Sequence, residues 1–273
     1  MPELPEVETV RRSLANHIIG QRIAQVEVLS WRAIRPRTEA EFASGLLGRT
    51  IVAVDRRGKY LELTLDDGSW LLIHLRMTGQ LLVTDKDQPL AKHTAVVFTF
   101  DSGKQLRFVD QRKFGLLEHI KDRSEAARGY QTLGVEPTSS EFTVDYLREV
   151  MARRTAKVKG LLLNQSLIAG LGNIYADEAL FHAGIHPQRE GRSLTEKELE
   201  ELHRAIVTVI EEGITHRGTT IRNYVDGSGK SGGYQERLQV YGKEGDPCPR
   251  CKTTLQRVKV AGRSSFHCPN CQR

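Results

Sequence analysis

Cys248, Cys251, Cys268 and Cys271 are the only cysteines in the chain, and they fall as two Cys-x2-Cys pairs sixteen residues apart. Each pair can offer two thiolates from one tight turn, and two such turns complete a tetrahedral site closed to substrate. The spacing therefore predicts one structural zinc ion, organising a short module that has too little core to fold otherwise. No ligand position stays open, so chemistry has to come from elsewhere. Between the pairs, "QRVKVAGRSSFH" reads as a hairpin that carries Lys259 and Arg263 where phosphates could meet them.

The rest of the chain changes period once. Over residues 22–120, "IAQVEVLS", "TIVAVDRRGKYLELTL", "WLLIHLRM", "HTAVVFTF" and "KQLRFVD" alternate apolar and polar residues or are rich in Val, Ile and Phe. With turns at "DDGS" and "DSGK", they predict an antiparallel β-sandwich with the first helix packed on it. From about residue 140 the period is helical, in "EFTVDYLREVMARR", "AKVKGLLLNQ", "NIYADEALFHAG" and "LTEKELEELHRAIVTVIEEG". The last opens with a capping box, Thr195 and Glu198, and carries an apolar stripe at Leu199, Leu202, Ile206 and Ile210. "IAGLGN" is a glycine turn leading straight into a helix. Segment 217–235 has five glycines and little periodicity, which suits either a linker or a mobile binding loop.

A net charge of +6 and a sequence pI near 9.2 point to an anionic partner, nucleic acid first. The excess is local: five Lys/Arg against one acid over 148–159, and eight against three over 236–273. No stretch reaches the ~18 apolar residues of a membrane span. The N-terminus does not read as a secretory leader. The expectation is a soluble cytoplasmic protein whose paired cysteines stay reduced.

The opening "MPELPEVETV" raises a different question. Pro5 and the acids suit a helix start, and Val7, Val10, Leu14 and Ile18 continue it to Gly20. A helix start does not explain Pro2 and Glu3. If Met1 is removed, Pro2 exposes a secondary amine beside a carboxylate, which is a reactive pair.

Together "MPELPEVETV", "RRGKYL", "HLRMTGQ", "QRKFG", "GLGNIYADEALF" and "AGRSSFHCPNCQR" resemble the formamidopyrimidine-DNA glycosylases. The resemblance covers the whole chain. It implies a multidomain α+β protein: an antiparallel β-sandwich with flanking helices (1–132), a helix-two-turn-helix domain (133–235, with a base-recognition loop at 217–235) and a zinc-finger β-hairpin (236–273). It implies a monomer that acts on damaged double-stranded DNA in a bacterial cytoplasm, at the nucleoid. Oxidised purines such as 8-oxoguanine would be excised through an N-terminal proline Schiff base, with strand cleavage by β,δ-elimination.

The resemblance also assigns residues. Pro2, Glu3, Lys59 and Arg263 would form the catalytic set, with Glu6 supporting it. Met77, Arg112 and Phe114 would fill the gap left by a flipped nucleotide. His74, His93, Arg112, Arg154, Asn173 and Arg263 would contact DNA. Thr219, Thr220, Ile221, Arg222, Asn223 and Tyr224 would close over the base. Taken alone, Met77 and Phe114 are more often core residues, and a lone histidine in a strand is more often structural. Asn164, Thr78 and Ala95 depart from the family pattern, where Asp, Glu and His are common. The nearest alternative is an endonuclease VIII-like enzyme for oxidised pyrimidines; a non-catalytic DNA-binding zinc protein would leave Pro2, Glu3 and Lys59 unexplained.

Overall fold

The computed structural model describes residues 1–152, 155–221 and 224–273. Arg154, Arg222 and Asn223, three of the expected site residues, lie outside the described residues. The chain forms two compact units: Met1–Gln131 with His216–Gly233, and Thr132–Thr215 with Tyr234–Arg273. Segment 217–235 was expected with the helical part, yet residues up to Gly233 pack in the N-terminal unit.

In that unit, helix α1 (Leu4–Ile18) buries Leu4, Val7, Val10, Leu14 and Ile18 along one face. Eight strands follow: β1 (Ile23–Val28), β2 (Ile51–Arg57), β3 (Tyr60–Leu65), β4 (Trp70–His74), β5 (Gly79–Asp85), β6 (Thr94–Phe100), β7 (Lys104–Asp110) and β8 (Leu116–Ile120). They make two antiparallel four-stranded sheets, ordered β1-β6-β7-β5 and β2-β3-β4-β8. Both sheets and α1 contribute to one apolar core, in which Phe98, Phe100 and Phe108 meet Leu61, Leu63 and Ile73. Each fully buried side chain of this size contributes roughly 1.5–3 kcal/mol, so α1 is tied firmly to the sandwich. Two helices complete the unit, α2 (Glu39–Leu46) and the single turn α3 (Arg128–Gln131).

The second unit contains α4 (Val144–Met151), α5 (Val158–Leu162), α6 (Asn173–Ala183), α7 (Glu196–Thr215), β9 (Gln256–Val260) and β10 (Arg263–His267). Thr143 caps α4, accepting the Tyr146 amide at 3.1 Å. Gly184 ends α6 in the left-handed region, at φ 70°. The capping box of α7 forms, with Thr195 N donating to Glu198 Oε2 at 2.8 Å. Strands β9 and β10 make a hairpin closed by Ala261 and Gly262, both at positive φ, as a type I′ turn requires. Among the described residues, no helix is long and apolar enough to cross a membrane.

Candidate active site

Pro2 and Glu3 are buried where α1 begins, with Glu3 as its N-cap. The buried carboxylate of Glu6 has two jobs. Oε2 accepts the amide of Glu3 at 2.7 Å, and Oε1 accepts the amide of Thr219 at 2.6 Å. One side chain thus fixes both the start of the chain and the first residues of the 217–235 segment. Gly218 passes so close, at φ 76°, that a Cβ would lie 2.8 Å from Glu6 Cγ and Oε1. The Tyr224 hydroxyl lies 3.2 Å from the Glu6 carbonyl and 3.1 Å from that of Arg217. Burial, then the nearby Glu6 charge, raises this phenol far above its usual range, so it serves as a donor. Farther along, Gly227 O accepts the Val83 amide of β5 at 3.0 Å. The glycine-rich segment is therefore docked on the sandwich, with Thr219 buried and Ile221 exposed.

Lys59 sits in the two-residue turn that joins β2 to β3, where Arg57 pairs with Tyr60. Gly58 takes φ 58° at the first turn position. Lys59 is only 4% exposed. Next to it, His74 is buried with its ring edge-on to Tyr60, 4.5 Å between centroids, and its Nδ1 accepts the Arg76 amide at 3.0 Å. Burial, followed by the charges of Arg76 and Lys59, pulls His74 down to about 3. It is therefore a neutral imidazole near neutral pH, offering a phosphate no positive charge.

Met77 and Phe114 are 38% and 51% exposed, so neither is a core residue. The Arg112 guanidinium stacks 4.8 Å over the Phe114 ring. Asp110, absent from the sequence-derived set, organises them. Its Oδ2 accepts Gly115 N at 2.7 Å, and its Oδ1 accepts Arg112 N at 3.2 Å and the Thr78 hydroxyl at 2.5 Å. The residue after Met77 and the Arg112–Phe114 turn are joined through this one carboxylate. The His93 carbonyl accepts the Asp110 amide at 3.0 Å, which places His93 beside the same turn.

In the second unit, Asn173 opens α6 and donates Nδ2 to the Ser264 carbonyl at 3.2 Å. Lys159 Nζ donates to the same carbonyl at 2.8 Å. Asn173 and the exposed Arg263 are thereby brought to neighbouring backbone. The Asn173 Oδ1 is buried and lacks a hydrogen-bond partner among the described residues. Two acids on α6 went unrecognised in the sequence. Asp177 lies 2.7 Å from the Lys159 ammonium and accepts Phe266 N at 3.1 Å. Burial lifts its carboxyl above the usual range even beside that cation. Glu178 accepts the amides of Gln239, Val240 and Tyr241 at 2.8–3.0 Å. Both acids hold the cysteine-bearing segment against α6.

The four sulfurs lie within 4.8 Å of one another, with Cys248–Cys271 at 3.9 Å and Cys251–Cys268 at 3.5 Å. A Zn–S bond of about 2.3 Å gives tetrahedral S–S edges of about 3.8 Å. The donor set therefore fits one zinc ion.

Three family descriptions match in sequence. Residues 1–117 match the formamidopyrimidine-DNA glycosylase N-terminal domain, 133–225 its H2TH domain, and 245–273 a zinc finger found in FPG and IleRS. The chain is 51% identical to a formamidopyrimidine-DNA glycosylase of Desulforamulus reducens, covering 100% of this chain and 99% of that protein. It is 48% identical to one from Pelotomaculum thermopropionicum, with the same coverage. Among solved structures it resembles a Lactococcus lactis FPG mutant in complex with a Fapy-dG containing DNA. That match has a TM-score of 0.93 and 41% identity over 100% of both chains.

Proposed function

Because the chain belongs to the formamidopyrimidine-DNA glycosylase family, we propose that it excises oxidised purines from duplex DNA through a Schiff base on Pro2. The observation that supports this best is the setting of Pro2 and Glu3, buried at a helix start that Glu6 ties to the 217–235 segment. With Met1 removed, the Pro2 nitrogen is a secondary amine. An α-amino group has a reference pKa of about 7.7–8.0, so a useful neutral fraction exists near physiological pH. Attack on the sugar C1′ forms the C–N bond as the C1′–base bond breaks, and cleavage of C1′–O4′, with Glu3 giving a proton to O4′, turns the adduct into an iminium. The resulting iminium acidifies the adjacent sugar carbon, and two eliminations then cut the strand on both sides. Glu3 opens the sugar and shuttles protons. Lys59 helps position the sugar for excision, assists the later proton transfers and meets the adjacent phosphate.

Met77, Arg112 and Phe114 fill the gap left by the flipped nucleotide, with the guanidinium facing the widowed base. Asn173, Arg263, His93 and Arg154 meet the backbone, and Arg263 acts together with the catalytic set. His74, being neutral, serves a phosphate only as an N–H donor. Residues 219–224 close over the base. The zinc ion, held by four thiolates, supplies folding energy to the hairpin. The working division follows as 1–132 for chemistry, 133–235 for DNA binding and 236–273 for the finger, acting as a monomer at the bacterial nucleoid.

A second reading rests on a relative. The wild-type Lactococcus lactis protein, 40% identical, is described in complex with an oxidized pyrimidine containing DNA. Comparing cleavage of 8-oxoguanine and thymine glycol duplexes separates the two substrate classes.

The proline mechanism is tested by borohydride trapping on an 8-oxoguanine duplex. One residue added before Pro2 turns the amine into an amide. Fold and DNA binding should survive, while the trapped covalent complex disappears. Normal trapping by the extended protein would remove Pro2 from its role.

A further inference from the structure

Helix α1 carries a second buried acid, Glu8, which the mechanism above does not use. Its carboxylate is enclosed by three guanidinium groups. Oε1 accepts from Arg11 Nη2 at 2.9 Å and Arg12 Nε at 2.7 Å, and Oε2 accepts from Arg11 Nε at 3.0 Å and Arg56 Nε at 3.1 Å. Arg11 and Arg12 are the local i+3 and i+4 neighbours of an acid in a helix. Arg56 is different. It stands on β2, its side chain is 8% exposed, and its Nη1 donates to the carbonyl of Gly58 at 3.1 Å.

That carbonyl belongs to the peptide unit leading into Lys59. Holding it fixes the direction in which the Lys59 side chain leaves the turn. A glycine at φ 58° leaves the turn backbone unusually free, so orientation has to come from outside it. Arg56 supplies it, with Glu8 holding the other edge of the same guanidinium. Glu8 in turn rides on the helix whose first residues are Pro2 and Glu3. A buried ion pair adds little net stability over an apolar pair once desolvation is counted, although removing one partner is costly, so the persistence of this pair points to geometry.

We propose that Glu8 and Arg56 are positioning residues for Lys59, locking the Gly58–Lys59 turn to α1 so that the lysine ammonium keeps a fixed place relative to the N-terminal amine. The proposal rests on the reading of Lys59 given above. Arginine is needed at 56 because one planar guanidinium presents two edges, one to each partner, and an ammonium on a shorter stem does not.

The test is a double-mutant cycle, read in single-turnover excision of 8-oxoguanine and in affinity for a duplex with a tetrahydrofuran abasic analogue. The variants are Glu8→Gln, Arg56→Lys, Lys59→Ala and the two doubles that include Lys59→Ala. Each positioning variant should slow excision about tenfold, as a small misplacement of a reacting group does. Affinity should stay within about twofold, because binding and chemistry are separable. With Lys59 already removed, neither substitution should slow excision further. A purely structural role predicts losses that multiply instead, and that outcome overturns the proposal. So does an unchanged rate in Arg56→Lys, the variant that keeps the charge should Glu8→Gln fail to fold. Normal excision by Lys59→Ala alone would refute the Lys59 reading itself, a failure visible in that single variant.

Discussion

Two hairpin turns, one in each unit, each present one cation with a proposed role, and they are fixed by opposite means. The Gly58–Lys59 turn lies between β2 and β3 of the sandwich, and its lysine is buried. The Ala261–Gly262 turn lies between β9 and β10, and its Arg263 is exposed. The first is anchored by charges removed from water, Glu8 and Arg56, within a unit with a large apolar core. The second belongs to a module whose apolar cluster is little more than Phe181, Val240, Leu255 and the cysteines, and its anchor is the metal. A group that moves protons needs one geometry. A group that meets a phosphate needs only reach and charge, and salt screening tunes it.

The largest way to break the comparison is to remove the anchor of the second turn. Cys248→Ser takes one ligand from the zinc site and a buried sulfur from that small cluster. The finger should unravel while the sandwich persists. DNA binding and strand cleavage should fall together by several orders of magnitude, although the amine is intact. Zinc content, far-ultraviolet circular dichroism and a cleavage assay check it. Full cleavage by zinc-free protein would show that the finger's anchor is dispensable.

How far each turn could be read beforehand depends on how local its determinants are. The cysteine spacing, the 3.6-residue stripe of α1 and the Thr195–Glu198 box are short-range patterns, and all three are present in the structure. Strand β5 escaped because Gly79–Asp85 does not alternate, its residues being mostly half-buried. Helix α2 was missed although Thr38 and Glu41 form a capping box of the same kind. Among the candidate residues, Pro2, Glu3, Lys59, Asn173 and Arg263 are named by the resemblance, but the contacts that position them are not legible in the sequence. The Glu8–Arg56 bond spans 48 residues, Glu178–Val240 spans 62, and Glu6–Thr219 spans 213. Nothing in the periodicity of either partner marks such pairs. Asp110 hides for another reason: it looks like the polar end of a strand, and only the turn it closes shows its use.

A smaller effect sharpens the buried side of the comparison. Burial raises the Glu8 carboxyl, but the hydrogen bonds and charges of Arg11, Arg12 and Arg56 outweigh it and hold the group at about 2. Its folded value lies below the ordinary 4.5. Its contribution to stability is therefore complete above pH 4.5 and is lost as pH falls toward 2. Glu8→Gln should lower the melting temperature by several degrees at pH 7, and the gap to the parent should narrow below pH 4.5 and close only as pH nears 2. His74 adds a separate loss as pH falls from 6.5 toward 3, since its folded value is depressed and the unfolded ring takes up the proton first. Glu8→Gln isolates the first window, because His74 is common to both proteins. A gap that stays constant from pH 7 to 3 would mean that the Glu8 charge does not hold this turn.

The smallest effect belongs to the exposed side. Arg263→Ala removes a solvated guanidinium from the end of a hairpin whose ladder and zinc ligands are untouched. Zinc content and melting temperature should not change. What should change is the slope of log affinity for duplex DNA against log salt, by about one unit, the mark of one lost phosphate contact. Between 50 and 200 mM salt that amounts to about three- to fourfold in how steeply affinity falls. Lys59 is the control within the same molecule. It is buried in a turn held by other charges, so Lys59→Ala should slow the chemistry far more than it flattens the salt slope. If both substitutions flatten the slope equally, Lys59 acts as a phosphate contact like Arg263, and the contrast between the two turns disappears.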